Sequence, residues 1–218
     1  MLNLEKNFLK KRILIYGLGK SGLSTYGFLK KSNVISLFDD RIIAKKKIKD
    51  IYKTYKEITK KEFDCIIISP GIDINKCKLS GFLKKNHKKI YTDLDIFYSQ
   101  YAFNQKITIT GTNGKSTTAK LLYDVLKDQK KDVRLVGNIG NPILLEKKIK
   151  KDTLFVIEAS SYQLEYSKLF KTNISIILNI TPDHLERHKT IDKYVSAKFK
   201  LIKNQSKNDL AILNTKNL

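Results

Sequence analysis

Short β-branched and aromatic runs alternate along the chain with longer amphipathic stretches. The runs predict strands over Arg12–Tyr16, Val34–Phe38, Cys65–Ser69, Lys106–Thr110, Val133–Val136, Thr153–Glu158, Ile174–Leu178 and Leu210–Leu213. The amphipathic stretches predict helices over Gly22–Lys30, Lys76–Lys85, Leu94–Tyr101, Ser116–Lys130, Ile143–Lys148 and Ile191–Lys203. Strands followed by helices at this spacing argue for parallel sheets built from βαβ units. Such sheets carry ligands at the carboxyl ends of their strands. Two glycine loops, at 17–22 and 111–117, each follow a predicted strand, so each should begin its own α/β unit. The expected fold class is α/β: a Rossmann-like domain over 1–95, then a P-loop-type domain with a mostly parallel sheet over 96–218. The boundary falls near the polar stretch Ser99–Lys106.

Composition changes this picture little. The 218 residues carry a formal net charge of +22, which invites a nucleic-acid reading. Yet 39 of the 43 basic residues are Lys, and only Arg12, Arg41, Arg134 and Arg187 are Arg. Base-edge and phosphate recognition favours the planar Arg fork. The chain also holds 28 Ile and 15 Asn, residues with A/T-rich codons, so a biased genome accounts for the excess. Runs such as Lys45-Lys46-Lys47 read as solvated faces, and no nucleic-acid partner is expected. No apolar run reaches the roughly 20 residues of a membrane span. The start, Met1-Leu-Asn-Leu-Glu-Lys, lacks a signal core, so no membrane partner is expected either. Cys65 and Cys77 are too few for a disulfide scaffold or zinc cluster and read as free thiols of a reducing cytoplasm.

Gly17-Leu-Gly-Lys-Ser-Gly22 fits the G-x-G-x-x-G pattern between a strand and a helix. Its glycines permit a tight turn, and the following helix offers free N–H groups to a phosphate. Asp39-Asp40 end the next strand about 20 residues on, where a ribose hydroxyl would be held. This reads as a nucleotide diphosphate site without saying which nucleotide; a nicotinamide cofactor is one alternative, and a turn kept for packing is another. Ser69-Pro70-Gly71-Ile72 makes a turn at the end of the third strand, beside that ligand.

Gly111-Thr-Asn-Gly-Lys-Ser-Thr117 is a shortened P-loop, since Ile109 stands where the full pattern has its first glycine. Gly111, Thr112, Asn113 and Gly114 would wrap phosphates with backbone N–H groups, Lys115 would neutralise the β/γ oxygens, and Ser116 or Thr117 can reach Mg²⁺. Glu158 ends a neighbouring strand, where a carboxylate ligand would stand, and Asp183-His184 lie in the loop after the next one. Taken singly, Glu158 could be a surface charge and His184 a helix cap; their shared position favours function. Lys198 sits in an amphipathic helix, and nothing in the local spacing selects it over Lys200.

With these motifs in order, the sequence resembles the Mur ligase family, and within it the ligases that add D-glutamate to UDP-N-acetylmuramoyl-L-alanine. The matching blocks are 17–22, 69–72, 109–117, 137–142, 158–165, 179–187 and 194–202. The resemblance implies that ATP phosphorylates the substrate's terminal carboxylate and that the amine of D-glutamate attacks the acyl phosphate. It implies that Lys115, His184 and Lys198 serve catalysis, and that two Mg²⁺ ions sit near Ser116, Thr117, Glu158, His184 and Lys198. Lys198 matches a lysine that is carbamylated in the family. Lys20, Ser21, Asp39, Asp40, Arg41, Ser69, Gly71 and Asn138 match substrate-contacting positions, so the first loop should hold UDP rather than NAD. The implied partners are small molecules only, and the complete protein should be a cytoplasmic monomer.

Family members run to about twice this length and have three domains. The expectation is therefore a fragment or a shortened form, with an incomplete central domain, that does not complete ligation alone. A folylpolyglutamate synthase-like ligase and a non-catalytic nucleotide-binding remnant are the competing readings.

Overall fold

The computed structural model describes residues 7–41 and 53–214. The first six residues and the run Lys45–Lys47 lie outside them. The elements, in order, are β1 (Arg12–Tyr16), α1 (Lys20–Leu29), β2 (Val34–Phe38), α2 (Tyr55–Thr59), β3 (Cys65–Ile68), α3 (Ser80–Lys85), β4 (Ile90–Tyr91) and α4 (Asp93–Gln100). There follow β5 (Lys106–Thr110), α5 (Lys115–Asp128), β6 (Val133–Gly137), β7 (Leu154–Glu158), α6 (Ser161–Glu165), β8 (Ile174–Ile177), α7 (Leu185–His188), α8 (Ile191–Lys203) and β9 (Leu210–Leu213). They build two sheets, in strand order β2-β1-β3-β4 and β6-β7-β5-β8-β9. Every strand pairing among these elements is parallel, so the fold is α/β throughout.

Strands β1 and β3 are almost wholly apolar because both their faces are covered, as parallel strands require. The order of the first sheet places the loops after β1 and β3 side by side at a topological switch point. In the second sheet β5 lies between β7 and β8, so its loop is flanked by the ends of both.

Helix α4 joins the two sheets. Leu94, Ile96 and Phe97 belong to one buried cluster with Ile13 and Ile15 of the first sheet and Phe155 and Ile157 of the second. The Phe97 ring meets Phe155 edge-on at 4.8 Å. Asp95, fully buried, stitches the same junction. Its Oδ1 accepts from Ser167 Oγ and from the backbone N–H groups of Lys168, Leu169 and Phe170, at 2.7–3.1 Å. Its Oδ2 accepts from Thr92 N at 2.9 Å. Residues 95 and 96, where the sequence divides the domains, both lie within this helix.

Two expected helices differ. Residues 143–148 are not helical: Pro142 opens a turn closed by Leu145 N on Pro142 O, and Ile143 and Leu144 are buried as neighbours rather than at helical spacing. Lys148 takes a left-handed backbone (φ 53°). The helix expected over 76–85 begins only at Ser80, because Lys76 and Cys77 both donate to Asp73 O in a preceding turn.

Lys106 is buried behind α4, where its Nζ donates to the carbonyls of Ala102 and Asn104. Burial pulls its pKa down to about 7. The unfolded chain holds that proton up to the ordinary lysine range, so it binds more protons than the fold above pH 7. Thermal stability should therefore rise from pH 7 to 8.5, and Lys106→Met should reduce the slope. An unchanged slope in melting curves would show that Lys106 stays charged in the fold.

Candidate active site

The first glycine loop leaves β1 and enters α1 with its shape dictated by contact. Gly17 has φ +90°, and a Cβ there would lie 2.8 Å from Ser69 Cβ. A Cβ on Gly22 would lie 1.8 Å from Gly17 O. Ser69 Oγ donates to Gly17 O at 2.7 Å, which ties the turn after β3 to this loop. Gly19 is different: it is exposed, and nothing lies within 4 Å of its missing side chain. Packing accounts for Gly17 and Gly22, whereas Gly19 leaves room at the uncapped start of α1 for a ligand to approach.

The other expected first-loop residues divide into two groups. Lys20, Arg41 and Gly71 are exposed around the loop. Asp39 holds the loop itself, accepting from Leu18 N at 2.6 Å and Arg41 N at 2.9 Å. Asp40 turns inward to accept from the Tyr16 hydroxyl, and burial together with that carboxylate pushes the Tyr16 pKa up. Ser21 Oγ donates to Asp93 at 2.5 Å, and burial raises the Asp93 pKa. Asp93 was not legible as part of this loop.

The second loop joins β5 to α5. Gly114 takes φ +82° at the helix start, a left-handed conformation that suits glycine. Asn179, after β8, braces the loop: its Oδ1 accepts from Thr112 N at 3.1 Å and Asn113 N at 2.9 Å. Those two amides are therefore engaged within the fold. The first-turn amides of α5, with Ser116 and Thr117 exposed beside them, are the groups left for phosphate. Lys115 Nζ donates to Gly111 O at 2.9 Å and Thr112 O at 2.7 Å.

Lys198 Nζ also donates to Gly111 O, at 2.7 Å, so two lysines meet on one loop carbonyl. The structure selects Lys198 where spacing did not: Lys200 turns the other way, to the Glu165 carbonyl. Lys198 is 1% exposed and lies 4.5 Å above the Tyr194 ring. Burial, helped by the Lys115 charge, pulls its pKa down to about 7. Tyr194 is itself buried, with its hydroxyl 3.1 Å from Thr112 Oγ1.

Glu158 ends β7, fully buried. Gly137 makes its setting possible, since a Cβ there would lie 2.2 Å from Glu158 O. Asn138 consequently folds over the carboxylate, donating from Nδ2 to Oε1 at 2.6 Å. Glu158 Oε2 is buried with no hydrogen-bond partner, as is Thr110 Oγ1 on the adjacent strand end. A buried, half-satisfied carboxylate oxygen suits a hard cation such as Mg²⁺. Among the described residues no three His, Cys, Asp or Glu side chains cluster as a metal cage. His184 faces Asp183 at 3.5 Å and Glu186 at 3.7 Å and stacks near Tyr162 at 4.9 Å.

The sequence reading gave Arg187 no role of its own. Arg187 is 8% exposed, pairs with Glu165 at 2.8 Å and donates to Ile72 O at 2.7 Å. A signal was present: in a chain that uses Lys almost everywhere, a retained Arg marks a place where a fork is needed.

The Mur ligase middle domain matches residues 109–218, and the N-terminal domain of MurD-like Mur ligases matches residues 11–90. The UDP-N-acetylmuramoylalanine–D-glutamate ligase of Rickettsia bellii is 35% identical over 95% of this chain and 47% of its own. The ligase of the same name from Caldicellulosiruptor bescii is 38% identical over 95% of this chain and 48% of its own. The chain thus spans about half the length of the curated relatives it matches. Among solved structures, the UDP-N-acetylmuramate:L-alanyl-gamma-D-glutamyl-meso-diaminopimelate ligase of Neisseria meningitides aligns with a TM-score of 0.59 at 15% identity, over 95% of this chain and 72% of that one. The UDP-N-acetylmuramate–alanine ligase of Thermotoga maritima aligns at 0.54 and 20% identity, over 95% and 50%. Both share the fold. Matched along both of its sheets, the chain belongs to the Mur ligase family.

Proposed function

We propose that the chain carries the UDP-substrate-binding and ATP-binding parts of a cytoplasmic, monomeric ligase that adds D-glutamate to UDP-N-acetylmuramoyl-L-alanine. The observation that carries this reading is the presence of two glycine loops, each between a strand and a helix on its own sheet. One nucleotide serves as the energy source and the other is part of the acceptor. A folate-type ligase has no use for the first loop. We assign residues 1–95 to the UDP domain and 96–218 to the ATP domain.

The chemistry joins two anions, so cations must screen them. The terminal carboxylate forms an O–P bond to the γ-phosphorus of ATP as the bond to the bridging oxygen breaks, giving an acyl phosphate and ADP. The amine of D-glutamate then forms the amide, losing a proton, and inorganic phosphate leaves. Lys115 exchanges its loop carbonyls for phosphate oxygens. Mg²⁺, when bound, neutralises phosphate charge; Glu158 Oε2, Ser116 and Thr117 are the groups that would hold it. Lys198, with a pKa of about 7, keeps a neutral amine available at neutral pH. Such an amine takes up CO₂, forming an N–C bond and releasing a proton, and so becomes an anionic carbamate. By the family resemblance, His184 serves the magnesium sites and Asn138 contacts the substrate.

Calorimetry on the 218-residue chain tests the reading. UDP-N-acetylmuramoyl-L-alanine and the magnesium complex of a non-hydrolysable ATP analogue should both bind, while NADH and tetrahydrofolate should not. Binding of NADH or the folate in place of the UDP compound would overturn it.

A further inference from the structure

We propose that Arg187 is a positioning residue that couples the two nucleotide loops, so that occupation of one strengthens binding at the other. The proposal rests on the assignment of these loops to ATP and a UDP-substrate.

The contacts form an unbroken path. On the ATP side, Asn179 accepts from two amides of the P-loop, and Thr181 N donates to Thr112 Oγ1 at 3.0 Å. Six residues later the same segment, now in α7, presents Arg187. Its Nη2 donates to Ile72 O at 2.7 Å, across to the first sheet's unit. Ile72 N in turn donates to Ser69 O at 3.0 Å, and Ser69 Oγ donates to Gly17 O. Ile72 also packs on the loop directly, since a Cβ on Gly17 would lie 3.0 Å from its Cγ1. Any shift of 179–188 is thereby delivered to the turn that shapes the first loop.

The guanidinium is held for this task. Its Nε and Nη2 both reach Glu165 Oε2, at 2.9 and 2.8 Å. Its carbon lies 5.2 Å from the Tyr162 ring centroid and 5.6 Å from that of Tyr166. The planar fork pairs with the carboxylate and reaches the carbonyl in one fixed geometry, whereas the three donors of an ammonium rotate freely. An ammonium has the charge for Glu165 but not the second, fixed arm. The neighbouring inter-unit contact, Lys76 Nζ to Glu186 O at 3.4 Å, is long and exposed and cannot take over.

The test is a double-ligand titration of the whole chain. In the wild type, saturating magnesium complex of the ATP analogue should tighten UDP-N-acetylmuramoyl-L-alanine binding at least fivefold, within the usual range of coupling between sites. In Arg187→Lys the ratio should fall to less than twofold, with the affinity of each ligand alone changed less than threefold. An equal ratio in both proteins, or none in the wild type, would overturn the coupling while leaving the functional reading intact. Failure of the wild type to bind either ligand would overturn both. Should the variant not fold, hydrogen exchange on the wild type decides: the ATP analogue alone should slow exchange at residues 69–74, and no change there would overturn the proposal.

Discussion

Gly22→Ala is expected to destroy the first nucleotide site while leaving the second intact. The added Cβ would lie 1.8 Å from Gly17 O, 2.9 Å from Gly17 C and 3.0 Å from Ser69 Oγ. The nearest obstacles are backbone, so no side-chain rotation relieves them. Helix α1 must move away from the loop, and the amides at its start leave the phosphate position. Overpacking of this kind costs about 3 kcal/mol. Binding of UDP-N-acetylmuramoyl-L-alanine should fall at least about 100-fold, since a loop displaced by an ångström loses most of its aligned donors. Binding of the ATP analogue alone should weaken far less, by no more than about the fivefold that links the two loops. Gly27→Ala is the matched control. It lies in the same helix, exposed, with nothing within 4 Å of a new Cβ. Alanine there should stabilise the chain by up to about 1 kcal/mol through helix propensity. Calorimetry and melting curves on the two variants decide the point; equal behaviour would mean that the loop geometry is not set by Gly17–Gly22 contact.

What could be read in advance followed the range of the interactions concerned. All the strands described except the two-residue β4 were legible because their apolar runs answer to local burial, as in Ile13–Tyr16 and Phe155–Ile157. The two loops were legible because backbone conformation restricts residue type locally, as at Gly114. The segment Ile143–Lys148 misled because its composition suits a helix, whereas two side-chain contacts outside helical spacing shape it. Asn141 Nδ2 donates to Glu146 at 2.7 Å, and Arg134 pairs with Glu146 at 3.4 Å. Helices α2, α6 and α7, with four or five residues each, are too short to show a period. At the site, Lys115 and Glu158 announced themselves by motif and by strand end. Local spacing could not choose Lys198 over Lys200, and only the family resemblance did, since the feature that separates them is the carbonyl of Gly111, 87 residues away. The links made by Asp93, Asp95 and Arg187 are likewise tertiary. Each spans more than 70 residues and leaves no local pattern.

The sharing of Gly111 O by two lysines makes Lys115→Met a test of two properties at once. Binding of the ATP analogue should weaken about 10²–10³-fold, the usual loss when one charged donor is removed from a phosphate or oxyanion site. The magnitude is physically reasonable, since a cation about 4 Å from a phosphate oxygen at an effective dielectric near 20 contributes about 4 kcal/mol. The second property is the state of Lys198. Burial is the larger cause of its lowered pKa, and the Lys115 charge adds to it in the same direction. Removing that charge should move the Lys198 pKa upward, toward the ordinary lysine value. Its neutral fraction at pH 7 then falls, and with it the capacity to take up CO₂. Labelled bicarbonate followed by ¹³C NMR should therefore show less carbamate in Lys115→Met than in the wild type at pH 7. The difference should shrink as pH rises and both amines become neutral. A purely structural role for Lys115 would weaken ATP binding without moving the carbamate signal. An unchanged signal would thus separate the two lysines, and a reduced one would show that the Lys115 charge helps set the state of Lys198.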